Sequence, residues 1–530
     1  MSGKIGVGVA NELFQFAYAR HPDQGRAGPV HHPVVVVGAG PVGLTLAIGL
    51  AQRGLRVVLL DDSDRIGEGS RAICFSKRCL EVWDRLGAVG PILERGVVWQ
   101  AGKVFLGEAQ VYGFDLLPEG GHKMPAFINL QQYYAEAFLL ERARQLPGID
   151  IRWRNRVVGA VGRADHAEVT IETPEGVYGL TAEYLVACDG ARSPIRGMVG
   201  AAFVGETFED QFLIADVKMR AGFPTERWFW FDPPFHSGQS ALLHKQPDDV
   251  WRIDLQLGRE ADPEVERQPE RVRPRIERML GHGDFTFEWI SLYRFQCRRM
   301  ERFVHGRILF AGDSAHQVSP FGARGANSGV EDAENLAWKL DLLLGGGAGG
   351  LLGSYDVERI QAAEDNILNS TRATDFIAPH NDYERRLRNV TLRLARGHAF
   401  AKRMVNAGRL SRPTPYDSPL STADDDVWDA GPAPGMPMVD APHGEGYLTD
   451  AFIAAGLGFT LLHWGGAPVC PAGVAAIDMG GVETVSAARY GAREGSAYLL
   501  RPDGYVAARF HAPTEGAVAA ALARARGGVA

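Results

Sequence analysis

Cysteine is scarce in this chain: 530 residues hold five, Cys74, Cys79, Cys188, Cys297 and Cys470, and no two stand in a CxxC pair. Neither a disulfide framework nor a zinc site is expected, and reduced thiols of a cytoplasmic protein are. An excess of positive charge is also missing. With 56 Lys and Arg against 64 Asp and Glu the net charge is −8, which argues against a nucleic-acid partner, because surfaces that track phosphates need clustered cations. No segment suits a membrane crossing. The one long uncharged run, residues 33–51, contains Pro33, Pro41 and four glycines, and a continuous spanning helix does not survive them. Residues 1–20 hold Lys4 but no apolar core followed by a small-residue cleavage site, so no signal peptide is expected. The histidines His236, His244 and His316 are too scattered for a metal triad, and no metal is expected.

Glycine, by contrast, is abundant: 64 residues, roughly one in eight, where ~7% is ordinary. The length suits two to four domains. The run Val34–Val37 is β-branched without polar alternation, as in a buried parallel strand. Gly38-Ala39-Gly40-Pro41-Val42-Gly43 follows at once, then the apolar helical stretch Leu44 to Gly54, then the strand Arg56–Leu60 ending at Asp61. This order defines a dinucleotide site. Gly38 makes the tight turn, Gly40 admits a pyrophosphate, Gly43 lets helix pack on strand, and Asp61 stands where a ribose hydroxyl is bound. The helix N-terminus offers unpaired N–H groups to the phosphates.

That spacing alone does not separate a nicotinamide site from an FAD site. Two later segments do: the strand and Asp-Gly turn Glu183 to Arg196, and the strand and glycine loop Arg307 to Asn327 leading into a helix over Glu331 to Leu342. With them the chain resembles the single-component (group A) FAD-dependent aromatic hydroxylases, the family of para-hydroxybenzoate, phenol and hydroxyphenylpropionate hydroxylases, through four ordered motifs between residue 34 and about residue 370. The resemblance implies noncovalent FAD, with Gly38, Gly40, Gly43 and Asp61 at its ADP part. It places Arg71 and Gln132 in further contact with the cofactor. Asp189 and Gly190 would serve FAD and a transient NADH or NADPH, and Gly312 and Asp313 the ribityl and pyrophosphate region. Gly325, Ala326 and Asn327 open a helix whose N–H groups would face the flavin N1 and O2, where negative charge develops on reduction. Two departures concern the site lining: Ser319-Pro320 replaces the family's Pro-Pro, which leaves Pro320 as the active-site proline, and Ala323-Arg324-Gly325 replaces Gly-Gln-Gly.

The implied reaction is hydroxylation of a phenolic ring, of the phenolic-acid kind, by NAD(P)H and O₂ through a flavin C4a-hydroperoxide. Because the cofactor carries the organic step, no catalytic triad is required. Two other classes fit the same flavin motifs: an oxidase or dehydrogenase of a non-aromatic substrate, and a non-catalytic FAD-bound regulator.

The implied fold is α/β, α+β overall: a Rossmann-type FAD-binding domain (33–200 and 296–370) with an inserted β-rich substrate domain (201–295). Around these come an N-terminal arm (1–32), a helical segment (371–410), a linker (411–437) and a C-terminal domain (438–530) similar to the thioredoxin-like domain of phenol hydroxylase, here without CxxC. That last segment is expected to support a homodimer and to be dispensable for flavin chemistry.

Inside the substrate domain Lys245 to Val250 suits a hairpin turn, and in the return strand Trp251, Ile253, Leu255 and Leu257 alternate with Arg252, Asp254 and Gln256. The polar face looks either to solvent or onto flavin and substrate. By position, resemblance puts substrate and flavin contacts near His244, Gln246, Arg252 and Asp254, with Arg252 toward the flavin and His244 as the group able to take a phenolic proton. The run Trp228–Phe231 reads as core, because Asp232 stands where a flavin halogenase signature has Ile.

Overall fold

The computed structural model describes residues 14–67, 72–258, 260–405, 410–424, 426–466 and 470–528. The strand Val30–Val37 lies in the middle of a mostly parallel sheet, between Val57–Leu60 and Gly176–Ala187. Ile149–Arg152 continues the sheet on one side, and Ile308–Phe310 followed by Val304–His305 on the other. Val34, Val35 and Val36 have no exposed surface, and a strand buried on both faces needs no polar alternation. The helix Pro41–Gln52 packs so tightly on the helix Gly325–Leu344 that a Cβ on Gly49 would sit 3.2 Å from the Ala337 methyl.

The second sheet runs His316–Gln317, Thr286–Met300, Phe203–Lys218, Val250–Leu257, Ser240–Lys245, Arg227–Phe231, Ala101–Leu106, Ala109–Asp115. It is larger than the 201–295 insertion. Residues 101–115 join it from the preceding segment, pairing in parallel with the aromatic strand Arg227–Phe231 that would otherwise be an open apolar edge. The region is also not wholly β: the helix Pro269–Leu280 buries Val272 and Ile276 against Trp251, Ile253 and their neighbours. The hairpin turn falls where Pro247, Asp248 and Asp249 suggested, with φ 66° and 60° at the two aspartates, a left-handed geometry that Asp tolerates. Trp228 and Trp230 pack on one side of the sheet, Phe229 and Phe231 on the other, as core.

The helices Gly350–Ile377, Asp382–Leu394 and Ala399–Met404 follow and cover the Phe229/Phe231 side. Beyond the linker a four-stranded sheet has the order Ala475–Asp478, Thr460–His463, Ala497–Leu500, Val506–Phe510, with the first two parallel and the rest antiparallel. This C-terminal unit is docked on the larger body through buried polar contacts. Its turn at 501–505 is driven into the larger body: Arg501 bonds Glu358 at 2.6 and 3.0 Å, Lys339 bonds the same carboxylate at 2.8 Å, and the Trp338 indole donates to Asp503 at 3.0 Å. All five are essentially without exposed surface. Removing one side would leave buried charges unpaired. Among the described residues no helix is long and apolar enough to cross a membrane, and no three His, Cys, Asp or Glu side chains gather as a metal site.

Candidate functional site

A cavity of about 1170 Å³ lies between the two large sheets and is lined from both. That exceeds the ~300–1,000 Å³ of ordinary small-molecule pockets, leaving room for a dinucleotide and a further ring. At one end sits the glycine turn, whose three glycines differ in what they meet. Gly38, at φ 105°, would put a Cβ 2.3 Å from the Cys188 carbonyl, and a Cβ on Gly43 would lie 1.9 Å from the Gly38 carbonyl. The protein itself requires both. Gly40 has φ −76°, and a Cβ there would meet nothing within 4 Å, so no protein atom excludes a side chain at that position. It is the N-cap of the helix Pro41–Gln52, which has no side-chain cap. Asp61 braces the turn, accepting the Ala39 N–H at 2.6 Å and the Ser63 N–H at 2.8 Å, and burial pushes its pKa up to about 6.

Further along, Gly312 at φ 68° presses on Val42, and Asp313 follows in the lining. The helix Gly325–Leu344 begins there, also without a side-chain cap, and presents Gly325, Ala326 and Asn327 to the cavity. Asn327 ties the loop down, accepting the Ser76 N–H at 2.9 Å and donating to the Cys74 carbonyl at 3.0 Å. Ala323, where the resembling family has glycine, is held at φ 52°. Behind the loop Asp332 accepts from the Gly312 N–H at 2.8 Å, from His316 at 2.7 Å and from Arg359 at 2.5 Å. Gln132 accepts the Ala72 N–H at 3.0 Å. Asp189 accepts from Ser193 at 2.8 Å while its enclosed Oδ1 lacks a partner, and burial raises its pKa to about 6.

Two uncapped helix N-termini and a clash-free glycine thus open onto one elongated cavity, a donor set that fits the two phosphates and the electron-poor ring of FAD. Gly38, Gly40, Asp61, Gln132, Asp189, Gly190, Asp313, Gly325, Ala326 and Asn327 are brought together in its lining. Gly43 and Gly312 stand behind it as packing positions, and Arg71 lies outside the described residues.

The far wall is the polar face of the hairpin, which is buried rather than solvated. Strand register builds it in rows. Asp216 pairs with Arg252 and Arg252 with His244, and one step beyond the Trp228–Leu243 pair brings Arg227 opposite His244. In the next row Ile214 pairs with Asp254 and Asp254 with Leu242. Arg227, His244, Arg252 and Asp254 all line the cavity, with Pro320, Phe321, Leu242, Leu292 and Ile214.

Arg252 is gripped by Asp216, Nε to Oδ1 at 2.8 Å and Nη2 to Oδ2 at 3.0 Å. His244 is poorly placed to take a proton, since burial and the charges of Arg227 and Arg252 push its pKa well below 6.5. Asp254 is better suited: burial, reinforced by Asp216, raises it to about 6, and its enclosed Oδ1 has no partner. Gln246 is fully buried but outside the lining. The residues that went unsingled are Arg227 and Asp216. Their one signal was a charge inside otherwise apolar strands.

Residues 31–370 match the family model for the FAD binding domain. A flavin-dependent monooxygenase of Mycobacteroides abscessus is 33% identical over 354 residues, covering 62% of this chain and 71% of that protein. A 3-(3-hydroxy-phenyl)propionate/3-hydroxycinnamic acid hydroxylase of Mycobacterium sp. (strain JLS) is 28% identical over 445 residues, covering 82% and 76%. Among solved structures, the flavin-dependent monooxygenase PieE in complex with FAD and substrate superposes with a TM-score of 0.78 at 21% identity, over 94% of this chain and all of that one. Fold and site therefore define an FAD-binding flavoprotein. The chain belongs to the FAD-binding class A flavin monooxygenase family, and it is a flavin-dependent aromatic monooxygenase.

Proposed function

We propose that this enzyme hydroxylates a phenolic substrate with NADH or NADPH as electron donor, and that Asp254 draws the phenolic proton. The observation that carries this reading is the setting of Asp254: a buried carboxyl with an unpartnered oxygen, in the cavity wall formed by the second sheet, flanked by Leu242 and Ile214. A base whose pKa lies near the working pH is matched to proton transfer, and a phenol losing its proton becomes a better ring nucleophile. His244, held neutral, can pass or share a hydrogen bond beside it. Arg252, fixed by Asp216, contributes a stationary positive charge. Pro320, Phe321 and Leu292 exclude water from the ring.

Bound FAD would supply the redox chemistry, accepting electrons from the nicotinamide and activating O₂. Gly40 and the start of Pro41–Gln52 would hold its pyrophosphate, Asp61 its adenosine ribose, Asp313 its ribityl chain, and the N-terminus of Gly325–Leu344 the pyrimidine edge of the flavin. The strand order of the C-terminal sheet supports a thioredoxin-like domain, whose sole cysteine, Cys470, cannot do dithiol chemistry. Its buried contacts with Trp338 and Glu358 support a bracing role.

Anaerobic mixing with NADH or NADPH, with and without phenols, tests the reading. Bleaching of the yellow flavin should be accelerated by a phenol, and admitting O₂ should yield a hydroxylated ring. Reduction by a non-aromatic substrate without nicotinamide would favour an oxidase or dehydrogenase and overturn it.

A further inference from the structure

We propose that Arg227 is the receptor for a carboxylate on the substrate, so that the site takes a hydroxylated aromatic acid with its acid end at Arg227 and its hydroxyl at Asp254. The hydroxyl half rests on the function proposed above; the acid half stands on Arg227 alone.

Arg227 is 4% exposed and lines the cavity, and its side chain makes no hydrogen bond or ion pair among the described residues, with Nε wholly enclosed. Other buried arginines are served. Arg252 has Asp216, Arg359 has Asp332, Arg501 has Glu358, Arg152 has Asp23, Arg324 has Asn366, and Arg388 has the Ile377 carbonyl. A guanidinium cannot shed its proton as a buried lysine can, so an unserved one costs several kcal/mol unless a ligand brings the negative charge. Arg227 and Arg252 together leave this corner of the wall positive, and one of them is already neutralised.

The acid facing Arg227 is Asp254, two strands away and one row along, and the two do not bond each other. Both residues line the same cavity, and each keeps an enclosed polar atom without a partner. A molecule reaching both must offer an anion to the first and an O–H to the second. Ile214, Leu242, Leu292 and Phe321 line the same cavity and offer apolar surface for a ring. A bidentate pairing of carboxylate with guanidinium would satisfy the donors that the protein leaves open.

The test is equilibrium binding to the FAD-loaded enzyme, read from the flavin absorbance, using benzoate, 3-hydroxybenzoate and the neutral 3-methylphenol, together with ligand-free melting of wild type, Arg227→Met and Arg227→Lys. The wild type should bind both acids more tightly than 3-methylphenol, and Arg227→Met should lose about 10- to 100-fold for the acids only. Arg227→Lys should recover part of that loss. Because the substitution removes an uncompensated buried charge, Arg227→Met should also melt higher than wild type without ligand, which a bracing arginine would not do. Equal wild-type affinity for acids and 3-methylphenol, unchanged acid binding in Arg227→Met, or a lowered melting temperature with acid binding intact would each overturn the proposal. Benzoate has no hydroxyl, so its binding isolates the acid anchor. Arg227-dependent benzoate binding without turnover of any phenol would leave the anchor standing and sink the hydroxylase reading, and phenol turnover indifferent to Arg227 would do the reverse.

Discussion

Replacing Gly40 and Gly43 in turn separates what the ligand demands from what the protein demands. In Gly43→Ala the new methyl would stand 1.9 Å from the Gly38 carbonyl, well inside contact distance, so strand turn and helix must move apart. Overpacking of this kind costs about 1–3 kcal/mol, and the backbone oxygen cannot swing away as a side chain could. Gly43→Ala should therefore melt lower whether or not flavin is present. Gly40→Val places its Cβ where no protein atom lies within 4 Å, at an ordinary φ of −76°, so the apoprotein should lose no more than the ~1 kcal/mol of a poorer helix N-cap. Its penalty falls on the ligand. A branched side chain at the helix N-terminus blocks the approach of the pyrophosphate and forfeits charge-assisted bonds worth about 1.5–3 kcal/mol each. Adding ~1–3 kcal/mol of steric cost, the FAD dissociation constant should rise by roughly two to four orders of magnitude. Flavin content on purification, titration of apoprotein with FAD, and melting with and without FAD measure all of this. A Gly40→Val protein that purified with full flavin would refute the placement of the pyrophosphate.

Asp313→Ala should weaken FAD by about 10- to 100-fold through the loss of ribityl bonds, checked by fluorescence titration of the apoprotein. Asp254 must be ionised to accept a proton and its pKa is raised to about 6, so kcat/KM should rise with pH through that value and fall about tenfold per unit below it. In Asp254→Asn that limb should vanish along with most turnover while FAD stays bound; an unchanged pH profile would remove Asp254 from the chemistry. Truncation after Pro434 should give no folded flavin-binding protein, because it bares the apolar surface of Trp338 and Leu351 that packs on the C-terminal sheet and takes Arg501 from Glu358. Arg501→Met alone should cost about 3–5 kcal/mol, seen as a clear drop in melting temperature, and a truncated protein that held FAD normally would contradict the bracing role.

What the sequence alone determined was local. The glycine turn, the β-branched strand before it and the acid after it follow from sterics and periodicity over about thirty residues, and the structure has them as read. The same is true of the hairpin turn at Pro247–Asp249 and of the aromatic core strand beginning at Arg227. Period two put Arg252 and Asp254 on one face, but it could not say what covers that face. Only the packing of the second sheet over the flavin cleft decided that the polar side is buried, and burial in turn raised Asp254 and lowered His244. Pairing was equally out of reach. Arg252 finds Asp216 36 residues away and Arg501 finds Glu358 across 143, through strand register and domain docking that no local pattern encodes. Arg227 was legible only as the head of an apolar strand. Its meaning came from the absence of a partner once every neighbouring strand was in place, because a charge is unpaired only in three dimensions.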